Sequence, residues 1–261
     1  MNKNFLLEKI DNAKQLSFGD IFNESIELFK KVWMQGFVKT LLQMILGLVI
    51  ALLSYIPIFM VLGFFGVTFS IMGERSAPVI ALPMVVLIIA IFILIIIVAG
   101  VVPMALIAGF YRICKQKDLN EATSDDYFYF LKRRYFKKMA TLVAASIGIS
   151  LLATLLCYFP VFFVMIPITF FTIIFAFNPE LSASDIISVG FKLGVKKWGI
   201  TFALVLVSGF AASIIGFILC GIGIFFTSSF IYLPIYFVYK HVIGFEDDYR
   251  VYSDDLKQIE Q

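Results

Sequence analysis

Few residues in this chain could do chemistry, and they do not gather. The single histidine, His241, follows a long apolar run beside Lys240. A lone imidazole needs a partner for acid–base work. A cation at a helix C-terminus, by contrast, complements the helix dipole unaided, and that is the role its position predicts. Cys114, Cys157 and Cys220 stand far apart with no Cys-x-x-Cys pair, which argues against a zinc site or a disulfide framework. They read as apolar packing residues, with acylation of Cys114, near a membrane boundary, as the alternative. Thr227, Ser228 and Ser229 place hydroxyls inside an apolar run. Such hydroxyls bond back to their own helix or across to a neighbour; a polar ligand site is the alternative. Gly221-x-Gly223 has no strand before it, so it is not a nucleotide loop. No Walker pattern, Gly-x-Ser-x-Gly or His-Glu-x-x-His is present. No catalytic, cofactor-binding or metal-ligating residue is assigned, no cofactor is expected, and the chain is not expected to be an enzyme.

Charge is the remaining chemistry. Lys132, Arg133, Arg134, Lys137 and Lys138 form one basic cluster, with no acid in their segment after Asp126. Lys192, Lys196 and Lys197 form a second. Beside a membrane, such clusters contact anionic headgroups and also set topology; both readings stand. Trp33 and Trp198 are expected interfacial anchors. The net charge is only +3, so nothing resembles the basic face of a nucleic-acid binder. The expected partners are membrane lipids, through their anionic headgroups on the cytoplasmic side, and another membrane protein; nucleic acid is not among them.

The elements that must position these residues are membrane spans. Of 261 residues, 61% are hydrophobic and 15% charged, against about 45–50% and about 25% in average soluble domains. Four runs lack any Asp, Glu, Lys, Arg or His: Thr40–Gly73, Ser76–Tyr111, Met139–Pro179 and Gly199–Tyr239. About 20 apolar residues cross a bilayer as a helix, so the last two runs, of 41 residues each, predict helical hairpins. Their turns fall at Cys157-Tyr158-Phe159-Pro160, where proline interrupts the helix, and at Cys220-Gly221-Ile222-Gly223. The first two runs predict one span each, with an apical connection between Pro57 and Pro83 that crosses, re-enters or lies outside the membrane. The expected spans are 37–56, 83–111, 140–158, 161–178, 199–219 and 222–240; eight spans is the alternative. Pro103, Pro167 and Pro234 fall inside spans and predict kinks. Residues 1–35 lack the apolar core of a cleavable signal peptide, so the first span is expected to serve for targeting.

Orientation follows from the positive-inside rule. With six spans, 20 of the 21 basic residues lie on one side and only Arg75 on the other. Both termini are therefore expected in the cytoplasm. The first 39 residues hold six lysines, all counted on the cytoplasmic side, and the spans are expected to hold no ionisable residue. That weighs against ion-coupled transport, although carbonyls at broken helices can also hold Na⁺.

Ser17–Trp33 and Ser182–Trp198 match at an offset of 165: Ser17/Ser182, Asp20/Asp185, Ile21/Ile186, Leu28/Leu193, Lys31/Lys196 and Trp33/Trp198. Both open with Ser-x-x-Asp, a helix-start pattern. Ser124–Met139 has a similar build. Each segment is amphipathic and is expected to lie in the interface plane. The predicted fold is thus an all-α polytopic bundle of about six spans, with three cytoplasmic interfacial helices each preceding a hairpin. The units cover about 17–111, 124–178 and 182–240. They form a single transmembrane domain over 17–244, between a cytoplasmic segment at 1–16 and an acidic tail at 245–261.

Gly109-Phe110-Tyr111-Arg112, the amphipathic segment closing in Lys196-Lys197-Trp198-Gly199, and Leu219-Cys220-Gly221-Ile222-Gly223 followed by Phe226-Thr227 carry a family resemblance. Together they resemble bacterial six-span inner-membrane proteins of unknown function. They are similar to the membrane domain attached to some glycerophosphoryl diester phosphodiesterases, over roughly residues 17–244. The resemblance implies six spans and a multi-pass inner-membrane location, and it transfers no catalytic residue. The 261 residues leave no room for the soluble phosphodiesterase domain. The expected function is that of a non-enzymatic accessory, scaffold or assembly factor for other membrane components. A carrier or flippase-like handler of lipids or apolar small molecules is the alternative.

Overall fold

The computed structural model describes residues 2–121, 124–156, 159–219 and 221–245, with side chains for all of these except 61, 64, 65 and 67–84. Cys157, Tyr158, Cys220 and the tail from Glu246 lie outside the described residues, as do the side chains of Arg75 and of most of the predicted apical connection, whose backbone is helical within α2. Every described element is helical. In chain order they are α1 (Lys3–Asp11), α2 (Phe18–Asp118), a 3-10 turn (Tyr129–Leu131), α3 (Arg133–Leu155), α4 (Phe159–Phe177), α5 (Ala183–Lys196), α6 (Trp198–Ile218), α7 (Gly223–Thr227), a second 3-10 turn (Ser228–Ile231) and α8 (Tyr232–Val242).

Within α2, two arms, Phe18–Met60 and Val85–Asp118, are long and apolar enough to span a membrane. They pack side by side. Lys39 Nζ lies 5.8 Å from the Phe110 ring centre, whereas a straight helix would separate the two residues by roughly 100 Å at 1.5 Å per residue. Leu28 and Lys31 meet Asp118 across one groove, so the arms run antiparallel. α3, α4 and α6 are also long and apolar enough to span, making five such helices among the described residues.

The last expected span, 222–240, is not one helix. It is α7, the 3-10 turn and the 11-residue α8. Thr227, Ser228 and Ser229 sit at the break, where hydroxyls compete for backbone groups. Thr227 Oγ1 donates to Ala212 O (2.9 Å) and to Gly223 O (3.0 Å), so it bonds both across and back. At the other end of this hairpin turn, Gly221 takes φ +82°, a conformation suited to glycine, and its N–H donates to Gly216 O at 3.0 Å.

The expected helix starts at Ser17 and Ser182 are present. Ser17 Oγ accepts from Asp20 N at 3.4 Å and Ser182 Oγ from Asp185 N at 3.1 Å. Beyond those caps the two segments differ. α5 stops at Lys196, and Lys197 (φ −109°, ψ 22°) breaks the helix before α6. The first arm of α2 runs through Trp33 unbroken. Composition explains the contrast: Gly194 and Gly199 weaken the helix around Lys197, while the equivalent positions in the first arm are Phe29 and Met34. The middle segment is not a helix over 124–139. Asp126 Oδ1 accepts from Phe128 N (3.1 Å) in an Asx turn, and Lys132 takes an extended conformation before α3. Of the three segments, only α5 forms a helix separate from the long apolar helix that follows it.

Packing concentrates at one end. Phe110, Phe130, Phe170, Phe171, Phe175, Tyr236 and Tyr239 are fully buried there, and the first of the α1 contacts, Leu6 and Ile10, join them. Glycines allow the closest approach. A Cβ on Gly194 would strike the Pro167 backbone, and one on Gly190 would come within 2.5 Å of the Phe171 ring. Away from this base the helices are exposed, with Phe217 at 83% and Leu155 at 73%.

Candidate functional site

Two places combine charge with structure. The first is a buried lysine. Lys39 is 1% exposed, and it falls inside the expected span 37–56, so the expectation of spans without an ionisable group overlooked it. The first arm carries Ser25, Leu28, Val32 and Lys39 inward at helical spacing. Lys39 Nζ stands 4.3 Å from the centre of the Tyr232 ring and 5.8 Å from that of Phe110, so two aromatic faces receive the ammonium. The neighbouring wall is polar. Thr40 Oγ1 donates to Gly36 O (3.0 Å) and shares a hydrogen bond with Ser228 Oγ (3.1 Å). Gly36 lies so close to Ser229 that a Cβ would overlap its hydroxyl. Cys114 is fully buried on the facing arm. A packing role fits that position, and acylation does not. The sequence missed Lys39 because it immediately precedes the charge-free run that opens at Thr40, and a run boundary gives no information about burial.

The second is the basic surface. Of the first cluster, Lys132 Nζ lies 4.7 Å over the Tyr129 ring. Arg134 pairs with Glu180 at 3.6 Å, and Lys138 donates to Pro179 O. Arg133 and Lys137 are exposed on the first turns of α3. The acid missing from the local sequence thus arrives from the α4–α5 connection. Tyr127 donates to Gln35 O at 3.3 Å, and Arg112 stacks 3.6 Å over Tyr129, tying the segment to both arms. Burial raises the Tyr127 hydroxyl above its usual range, with the Asp125 carboxylate adding to the effect.

The second cluster meets α1, a helix within the segment 1–16 that was expected only to be cytoplasmic. Lys192 pairs with Asp11 at 2.9 Å. Lys196 Nζ donates to Asp11 O at 2.6 Å, and Lys197 Nζ to Lys14 O at 2.7 Å and Ala13 O at 3.4 Å. Lys196 thus serves a carbonyl that the C-terminus of α1 leaves unpaired, and Lys197 two carbonyls just beyond that helix. At the other end of α1, Lys3 pairs with Asp185 at 3.2 Å. The hydrogen bond from Ser182 and then that from Lys3 hold the Asp185 carboxyl below 3.8. Burial, then Lys196, lowers Lys197.

Of the expected anchors, Trp33 is 42% exposed. Trp198 stacks on Phe202 and Phe163 and donates to Phe162 O at 3.2 Å. His241 Nε2 stands 2.7 Å from Glu24 Oε2, which joins α8 to the first arm. Among the described residues no group of three or more His, Cys, Asp or Glu could hold a metal ion. No known protein family, curated protein or solved structure matches the chain.

Proposed function

We propose that the chain is a non-enzymatic integral protein of the bacterial inner membrane that serves as an accessory, scaffold or assembly factor for other membrane components. The observation that carries this reading is the length of apolar helix left uncovered beyond the packed base. From Met44 to Leu62 the first arm exposes Met44, Ile45, Leu48, Val49, Leu52 and Leu53, among others. Nineteen residues reach about 28 Å, close to the hydrocarbon thickness. The return arm matches it with Val86, Leu87, Ile93 and Leu94. Gly47 has open space where a side chain would be, which suits close approach by another helix. Lipid covers such a surface; a partner helix packs on it more tightly.

Six spans, with α7, the 3-10 turn and α8 forming a broken sixth, fit the positive-inside distribution and put both termini in the cytoplasm. This arrangement agrees with the resemblance to six-span inner-membrane proteins and to the phosphodiesterase membrane domain. Arg133, Lys137 and the other clustered lysines and arginines then face anionic headgroups. The alternative, a handler of lipids or apolar molecules, draws on an apolar cavity of about 250 Å³ between the first arm and the third hairpin, lined by Phe22, Ile26, Phe29, Ile215 and Phe230.

Photo-crosslinking residues at Leu52 and Leu94 in native membranes, with Leu151 on α3 as the comparison, test the proposal. A stoichiometric protein adduct from the first hairpin supports the accessory role. Lipid adducts alone, equal at all three positions, refute it and favour the carrier reading.

A further inference from the structure

Between α1 and α5 runs an open groove of about 670 Å³, lined by Leu7, Asp11, Ser188, Phe191, Lys192 and Lys196. One part of it is polar. Ser188, Lys192 and Lys196 stand four residues apart and share a face of α5. Both ammonium groups converge on one residue, Lys192 on the Asp11 carboxylate at 2.9 Å and Lys196 on the Asp11 carbonyl at 2.6 Å. The rest of the groove is apolar, from Leu7 and Phe191 to Val195, itself 66% exposed.

We propose that this groove binds an anionic phospholipid, and that the Asp11 carboxylate occupies the place of its phosphate when the groove is empty. The inference rests on reading the α5 lysines as anionic-lipid contacts. Three observations carry it further. The Lys192–Asp11 pair has side chains 47% and 54% exposed, and an ion pair so open to water is readily exchanged. α1 does not depend on that pair for docking. Leu6 and Ile10 are fully buried, Lys3 holds Asp185, and Lys197 holds the Lys14 carbonyl, so one side chain swings aside while the helix stays. Finally, α5 leads through Lys197 directly into α6 at Trp198, a helix able to span the membrane. That brings the lysines to the depth of cytoplasmic headgroups. A free phosphate satisfies the lysines but leaves Leu7, Phe191 and Val195 without a ligand, whereas an acyl chain covers them.

The test is native mass spectrometry of the full chain in neutral detergent, titrated with phosphatidylglycerol, phosphatidylcholine or inorganic phosphate. The expected result is retention of phosphatidylglycerol over phosphatidylcholine by about thirtyfold, the scale of two cationic contacts. The preference should vanish in the double variant Lys192→Gln/Lys196→Gln and survive in Lys192→Arg, which keeps the charge and checks folding. Asp11→Asn should tighten phosphatidylglycerol several-fold. Glu8→Gln, the same charge change one turn earlier and outside the groove, should not. Equal retention of the two lipids by the unaltered chain overturns the underlying lipid-contact reading. A preference that survives the double variant, or equal effects of Asp11→Asn and Glu8→Gln, overturns the groove alone. Displacement of the lipid by equimolar inorganic phosphate overturns the acyl half of the site.

Discussion

The ammonium of Lys39 sits 4.3 Å from the centre of the Tyr232 ring, with Lys39 buried and Tyr232 packed against the edge of the core. A buried charge costs stability unless it is paired, and an aromatic face returns only about 0.5–2 kcal/mol of that. Replacing a buried charge with an apolar side chain of similar volume is often neutral or stabilising. Lys39→Met should therefore hold or raise the thermal midpoint in detergent, by roughly 2–4 °C per kcal/mol gained. Lys39→Glu, which turns a negative charge toward the same ring, should lower it sharply. A midpoint that drops for Lys39→Met would show that the ammonium has a use beyond packing. Ligand retention by the variant would then be the next measurement.

The contact of α5 with α4 depends on a missing side chain. Gly194 lies against the Pro167 backbone so closely that a Cβ would collide with it. Proline presents no N–H there, and its Cα and N are backbone atoms that cannot turn aside. Gly194→Ala should destabilise by about 1–3 kcal/mol through overpacking, despite alanine's better helix propensity. Gly199→Ala, with nothing within 4 Å, should not destabilise and is the control. Unfolding midpoints of the two variants decide the matter, and equal midpoints would contradict the packing argument.

Much of this arrangement can be read from residues alone, and the rest has identifiable reasons for being hidden. Ser17 and Ser182 cap their helices as the Ser-x-x-Asp pattern predicts, because capping is local and needs only four residues. The long apolar runs become helices because composition alone demands it. α1 was invisible because a nine-residue helix is not stable by itself; it forms against α5, through Leu6, Ile10 and lysines some 180 residues away. The protein partners of Lys192, Lys196 and Lys197 were hidden for the same reason, since they lie on or just after that distant helix. The Ser228–Ile231 break carried a signal in its hydroxyl run, but the hydropathy that defines a span outweighed it. Burial of Lys39 depends on Gly36 admitting Ser229, a tertiary contact that no periodicity encodes.

Asp118 joins the end of α2 to α8. Its Oδ2 accepts from Tyr236 Oη at 2.8 Å and from Lys240 Nζ at 2.6 Å, and its side chain is only 16% exposed. Asp118→Asn removes the charge that matches Lys240 in a half-buried setting. A loss of about 1–3 kcal/mol is expected, the range for hydrogen bonds to charged groups. Asp118→Asn/Lys240→Met should recover part of it, because no ammonium is left unmatched. A double-mutant cycle on denaturation midpoints measures the coupling, and full additivity would mean the two side chains do not interact.

Docking of α1 should respond to acid. The Ser182 hydroxyl, then Lys3, hold the Asp185 carboxyl below 3.8, so the folded chain binds that proton less readily than the unfolded one. A carboxyl shifted down stabilises the fold above its unfolded pKa, and the contribution fades as pH falls through the lower folded value. The Lys3–Asp185 pair should thus be intact at pH 7 and lost in strong acid, below the usual carboxylate range, loosening the N-terminal end of α1 first. A fluorophore on Asn4→Cys, in a background without other cysteines, reports this as a fall in anisotropy on acidification. Asp185→Asn should show the lower anisotropy already at pH 7. Ser182→Ala should move the transition to higher pH, because the hydroxyl contributes most to the shift. An anisotropy that stays constant from pH 7 into strong acid in the unaltered chain would mean that Leu6 and Ile10 alone hold α1 in place.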